Sequence, residues 1–446
     1  MSGTRGELFD PIFGASGAAA VLDDASWVDA LLTVEAALAR AQAAVGVIPQ
    51  GSATRIDTVI TVLREAGDPR LTPAALGAAA MAGGNPVIPL VGVLRSALAA
   101  LHPDVPPAHV HRGATSQDIL DTALVLLLRR AGTLLVTDLT RAERACADLA
   151  RTHRDTPMVA RTLGQQALPT TFGAVAASWL SGLRRTRAEV SRQVSALPVQ
   201  FGGAAGTLAA LAPHGFDVAD ALADELGLPR ALVPWHTDRT PLGLLAGAVG
   251  AAAGEIGKIA GDVVWLAATE IGEVTEAASG GSSAMPHKQN PVAAITARAG
   301  ARRVPALVAS VLASMEQEHQ RAAGPWHAEW EPLTDLLRTA AGAAARLADS
   351  LIDLRVHPDA MARNLQVTHG ALLAERVAVA LAEHTPDARA RVTAVCAAGL
   401  DLADAEAITE FLPEATVREL LDPAGYLGHA GGIVDRVLSA PDPDDL

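Results

Sequence analysis

PLGLLAGAVGAAAGEIGKIAGDVVWLAATEIGEVTEAA, residues 241–278, decides the fold class. Leu245, Val249, Ala252, Ile256, Ile259, Val263 and Leu266 recur in it at steps of four and three, the spacing of a coiled-coil seam. Gly247, Ala248, Gly250, Ala251, Ala253 and Gly254 fill the positions between, small enough for neighbouring helices to approach closely. As one helix the stretch would run about 57 Å at 1.5 Å per residue, a length that finds its partners in a bundle of similar helices. Glu255 and Lys258 interrupt its apolar character, which argues against a membrane span.

The same period extends outward. Trp27, Leu31, Val34, Leu38, Ala41 and Val45 mark an amphipathic helix that begins after Asp24 or Ser26. Leu120, Leu124, Leu127, Ala131 and Leu134 mark another, with Thr115, Ser116 and Asp118 as a polar, negatively charged start. A third helix follows Pro169, and further long ones are expected over 292–318 and 333–354. From His357 the pattern shortens, punctuated by Pro386, Pro413 and Pro423, and ends in the acidic tail PDPDDL. The reading is all-α, in three helical domains: 1–111, a central bundle over 112–356, and 357–446. No solenoid period is visible.

Composition agrees and narrows the function. Of 446 residues half are hydrophobic but only 3% aromatic, an Ala/Leu/Val-rich balance that suits packed helices, and strand-forming runs are scarce. Cys146 and Cys396 stand singly, which suggests neither a disulfide framework nor a zinc site and fits a reducing cytoplasm. The opening MSGTRGELFD lacks the basic end and apolar stretch of a leader. A net charge of -14 argues against nucleic acid or an anionic membrane as partner. An anionic substrate would need cations gathered locally.

Four stretches carry candidate chemistry. GGSSAMPHKQNP, 280–291, sets hydroxyl, ammonium and amide groups on a flexible loop between long helices, where backbone N–H groups can face an anion; the alternative is a simple helix-to-helix turn. HRGATSQD, 111–118, precedes a helix, whose first N–H groups suit a carboxylate. There the capping and binding readings of Thr115, Ser116 and Asp118 are compatible, and His111 taken alone reads more often as a surface histidine. ARTLGQQALPTTFG, 160–173, carries Arg161 and Gln165. EHQRAAGPWHAEW, 318–330, concentrates His319, Arg321, His327, Trp326 and Trp330 in an aromatic-poor chain; the tryptophans read as packing, Arg321 as the local cation.

Gly281 to Pro291 match GSSxMPxKxNP at every fixed position, the signature of the fumarase/aspartase superfamily, and the chain resembles that superfamily over roughly residues 10–390. The resemblance implies Ser282 as general base, with Lys288 and Asn290 holding a substrate carboxylate and the aci-carboxylate formed from it. It also implies carboxylate binding by Thr115 and Ser116, and substrate contacts from His111, Arg161, Gln165, His319 and Arg321. Leu163 stands where relatives that expel an amine or water carry a histidine. A carboxylate, with a conjugate acid near pKa ~4, leaves without a proton donor. The chain is therefore most similar to the cycloisomerases of the superfamily, which interconvert 3-carboxy-cis,cis-muconate and 4-carboxymuconolactone. GGNPVIPL, 83–90, also resembles them and adds Asn85 to the substrate-binding set. Gln289 departs from the arginine common there, and His287 reads either as added charge or as solvent-exposed. The resemblance implies no cofactor or metal, a small polycarboxylate substrate, and a homotetramer with composite sites. Rival readings are adenylosuccinate lyase, against which Leu163 argues, a lyase expelling another good leaving group such as nitrite, and a non-catalytic helical scaffold.

Overall fold

The computed structural model describes residues 8–278, 280–281 and 285–442. Helices hold 65% of the chain and strands 5%, so the fold is all-α as its periodicity requires. Five long helices dominate: Ser116–Thr152, Phe172–Ala196, Thr240–Leu266, Val292–Ala313 and Trp330–Ile352. Each contributes residues to both of two compact units. The first comprises Met1–Asp138, Thr186–Gly254 and Ala299–Ala345; the second comprises Leu139–Arg185, Glu255–Arg298 and Arg346–Leu446.

In the first unit, the helix Asp24–Val45 starts one residue earlier than the pattern suggests. Asp23 is its cap, accepting the Ser26 N–H at 2.7 Å, and Gly46 in the left-handed region ends it. Leu31, Val34, Leu38 and Ala41 are buried, and the helix packs on Gln50–Glu65 and Gly215–Leu226. Each buried leucine contributes about 1.5–3 kcal/mol of hydrophobic stabilisation. Leu120, Leu124, Leu127 and Ala131 are likewise buried on the Ser116–Thr152 helix. The small residues of 241–278 act as expected at Gly250, where an added Cβ would meet Val308 at 3.1 Å, and at Gly243, where it would strike Met315.

Thr240–Leu266 is long and apolar enough by composition to cross a membrane, yet Leu245, Val249, Ala252, Ile256, Ile259 and Val263 are fully buried within the chain. It is a core helix. It also stops twelve residues short of the expected end at Ala278, and the second unit shows why. Gly272 adopts a left-handed turn, the Glu273 N–H bonds back to the Leu266 carbonyl at 2.9 Å, and Val274–Glu276 pairs antiparallel with Leu354–Val356. β-branched residues and an αL glycine outcompete the apolar period there.

The second unit also holds an antiparallel hairpin that scarce strand signals did not announce, Pro157–Thr162 with Gln165–Thr171. Leu163 and Gly164, both at positive φ, form its two-residue turn. Its C-terminal part, built of short helices as expected from His357 onward, closes on a core of Val377, Leu381, Val392, Leu402, Ile408 and Val417.

Candidate active site

In the first unit the start of the Ser116–Thr152 helix is anchored by one side chain. Asp118 is fully buried; its Oδ2 accepts the N–H of Thr115 at 2.9 Å and of Gly203 at 2.9 Å, and its Oδ1 accepts Gly202 N–H at 2.9 Å and His236 Nε2 at 2.6 Å. Reciprocal bonding to Thr115 fixes the first turn, so the half-buried Thr115 and Ser116 sit at a helix N-terminus whose geometry is pinned from beneath. Gly203 turns its carbonyl to Arg321 Nη2 at 2.6 Å. Thr115, Ser116 and Arg321 are thereby gathered through two intermediaries, Asp118 and Gly203. Burial lowers the Arg321 pKa, with Asp118 and Asp121 acting against it, so its charge stands in a poorly hydrated place.

His319 takes a positive φ, and its carbonyl accepts the Thr237 hydroxyl at 2.8 Å, next in sequence to His236. His111, also at positive φ, is bound through Nδ1 to the buried Glu35 at 2.6 Å. Burial opposes its charged form, but the charge and hydrogen bond of Glu35 outweigh that and raise its pKa. Asn85 caps its own turn, its side chain accepting Val87 N–H at 3.1 Å and donating to the Gly83 carbonyl at 3.2 Å. The neighbouring Gly84 lies against His327, which packs with Trp326 and Trp330 as the packing reading of the tryptophans requires.

Deeper in the same unit lies a charged cluster. Arg239 is buried between Asp121, at 2.7 and 3.2 Å, and Glu329, at 3.1 Å from Nε and closer still at Nη2. Asp121 also receives Gln117 Nε2 at 3.1 Å and Trp326 Nε1 at 2.9 Å. One guanidinium serves two buried carboxylates. The excess negative charge is relieved at Glu329, which has fewer donors: burial pushes its pKa up to about 7 even though Arg239 pulls it down.

In the second unit the stem of the 280–291 loop is closed by Gly280 and Asn290, whose backbones exchange hydrogen bonds at 2.9 and 3.0 Å. The Asn290 side chain adds a 3.2 Å bond to the Gly280 carbonyl. His287, Lys288 and Gln289 are exposed, and Lys288 N–H bonds to Met285 at 3.1 Å. Ser282, the expected base, lies outside the described residues, as do Ser279, Ser283 and Ala284. The loop runs into the Val292–Ala313 helix, capped by the buried Glu276, which accepts the N–H groups of Ala293 at 3.0 Å and Ala294 at 2.8 Å.

A Cβ on Gly280 would lie 2.2 Å from Val292 Cγ2. Gly280→Ala is therefore expected to destabilise by about 1–3 kcal/mol, as overpacking does, and a companion Val292→Ala should recover most of it; thermal melts of the three variants check this.

Arg161 and Gln165 fall on either side of the hairpin turn. Arg161 gives both terminal guanidinium nitrogens to Glu273, at 2.9 and 2.8 Å, and Glu273, fully buried, also binds Asn364 Nδ2 at 2.7 Å. Arg161 is thus committed to an internal pair. Gln165 is exposed, and Leu163 at the tip is 103% exposed.

Sequence reading missed His236, Arg239, Asp121, Glu329 and Glu273. A signal existed for the first two: WHTDR, 235–239, is a polar and aromatic interruption in an alanine-rich chain. Among the described residues no group of three or more His, Cys, Asp or Glu side chains is placed to hold a metal ion.

A family model described as Lyase matches residues 4–306. A nitrosuccinate lyase of Streptomyces davaonensis is 43% identical, covering 98% of this chain and 95% of that protein. A 3-carboxy-cis,cis-muconate cycloisomerase of Bradyrhizobium diazoefficiens is 41% identical over 100% of both. The crystal structure of a 3-carboxy-cis,cis-muconate lactonizing enzyme from Pseudomonas putida superposes with a TM-score of 0.89 at 38% identity, over 97% of this chain and 98% of that one. The chain belongs to this lyase family, the fumarase/aspartase superfamily, and is an enzyme of that class.

Proposed function

We propose that the chain is a 3-carboxy-cis,cis-muconate cycloisomerase, forming 4-carboxymuconolactone in aromatic catabolism through the β-ketoadipate pathway, in the cytoplasm. A carboxylate oxygen of the substrate forms the new C–O bond of the lactone ring. The electrons of the double bond move into the adjacent carboxylate as an aci-carboxylate, and the Ser282 hydroxyl proton is delivered to the carbon beside it. Lys288, Asn290 and loop N–H groups stabilise the doubly charged carboxylate, while Thr115, Ser116 and Arg321 bind another carboxylate, with His111, His319 and Gln165 adding contacts; Arg161 and Asn85, engaged by Glu273 and by the Gly83–Val87 turn, support the backbone around them instead.

The observation that carries this reading is the hairpin tip. Leu163, wholly exposed at a constrained turn, offers no proton to a leaving group, and a carboxylate needs none. The second reading is a nitrosuccinate lyase, favoured by the Streptomyces davaonensis relative and by Gln289, since nitrite also departs as a stable anion.

We further propose a homotetramer with composite sites. On the Thr240–Leu266 helix, Leu244 and Trp265 are about half exposed, and Gly247, Ala251 and Gly254 lie on the same heptad-spaced open stripe, opposite in phase to the buried seam.

The test is an ultraviolet assay of the purified protein with 3-carboxy-cis,cis-muconate beside nitrosuccinate. Loss of diene absorbance with the first supports the cycloisomerase. Nitrite release from the second, without muconate turnover, replaces it by the lyase.

A further inference from the structure

Asp118 is the keystone of the first unit's candidate carboxylate site, and three of its four hydrogen bonds come from backbone amides on two separate loops. The Thr115 amide is spent on Asp118, so an anion at this helix start would meet the Thr115 and Ser116 side chains and Arg321, whose placement depends on the groups that Asp118 ties together. The fourth bond, from His236 Nε2 at 2.6 Å, is the shortest of the set and the only one from a side chain. His236 is thus the one side chain that joins three backbone amides around the Asp118 carboxyl.

Residue 236 is tied to the same helix start by its backbone too. Its carbonyl accepts Gln117 Nε2 at 2.8 Å and Arg239 Nη1 at 3.4 Å. The ring itself is packed tightly: a Cβ on Gly202 would come within 2.7 Å of its Cε1. Gly203 donates its N–H to Asp118 and its carbonyl accepts from Arg321, so a displacement of Asp118 passes directly to the guanidinium. Thr115, whose N–H holds the other side of Asp118 Oδ2, moves with it.

We infer that His236 is a positioning residue for the substrate-carboxylate subsite, acting through Asp118 to hold Thr115, Gly203 and Arg321 in place. It touches no reacting atom. The inference rests on the reading of this helix start as a carboxylate subsite and adds the group that sets its geometry.

The test compares wild type with His236→Gln, whose amide nitrogen can take the place of Nε2, and His236→Leu, which fills the cavity without a donor. His236→Leu is expected to raise KM for 3-carboxy-cis,cis-muconate about tenfold or more with kcat within about threefold, and His236→Gln to keep KM within about threefold of wild type. Calorimetric titration with citrate, an unreactive tricarboxylate, should follow the same order. Melting temperatures of the same samples separate this from a purely structural role, which would lower stability in His236→Leu yet leave KM and the citrate Kd unmoved. That result overturns the inference, as does a His236→Gln variant as impaired as His236→Leu. Citrate binding that depends on His236 without muconate turnover by wild type would discard the proposed reaction but keep the positioning role. No citrate binding by wild type removes the subsite and the role together.

Discussion

Ser282→Ala is expected to lower kcat for 3-carboxy-cis,cis-muconate by about 10³-fold, within the range by which a positioned acid or base accelerates proton transfer, while KM changes little. The asymmetry follows from the division of labour. Alanine removes the oxygen that carries the proton but leaves Lys288, Asn290 and the amides of the loop, whose stem is fixed independently by the Gly280–Asn290 bridge. Binding survives and the step does not. The check is steady-state kinetics together with solvent-deuterium incorporation into the lactone, read by NMR. A variant that still incorporates deuterium at the wild-type rate would remove Ser282 from the reaction and send the search for a base elsewhere.

Arg239→Leu is expected to be the most destabilising single change in the first unit, at about 3–5 kcal/mol, because it strands Asp121 and Glu329 as two buried carboxylates without a cation. Replacing Arg239, Asp121 and Glu329 together by apolar residues of similar volume should cost less than the single change, since no unpaired charge remains. Denaturant titrations of both variants check this.

pH supplies an independent signature. The folded pKa of Glu329, about 7, is raised above its ordinary 4.5, so the folded state holds the proton more tightly than the unfolded one. The stability it contributes is full below about pH 4.5 and is lost as pH rises through 7. Without Arg239 the Glu329 pKa moves higher still, so the deficit of Arg239→Leu should be smaller at pH 5 than at pH 8. An equal deficit at both would show that Glu329 does not carry the excess charge.

Much of this was legible in the sequence because helices announce themselves by period. The seam from Leu245 to Leu266 is buried residue by residue, and the polar cluster at Thr115, Ser116 and Asp118 does start a helix. What failed was local competition. The apolar rhythm of 241–278 continues past Leu266, but Gly272 and the strand pairing of Val274–Glu276 end the helix, and no local pattern encodes a partner strand some eighty residues away at Leu354–Val356. Site residues divide along the same line. Arg321, Lys288 and Asn290 stand in recognisable stretches, whereas Glu273 and Glu329 look in the sequence like ordinary helical acids. Their importance comes from burial beside Arg161 and Arg239, which only the fold creates.

The hairpin turn at Leu163 has an evolutionary consequence. A leucine there adopts φ 52°, a left-handed conformation that costs a side chain of its kind about 1–2 kcal/mol and that asparagine, aspartate and histidine tolerate better. The backbone there suits a histidine as well as the leucine that occupies it, and the side chain at the tip is exposed rather than packed. The residue at this one position can therefore change during divergence without rebuilding the hairpin that presents it.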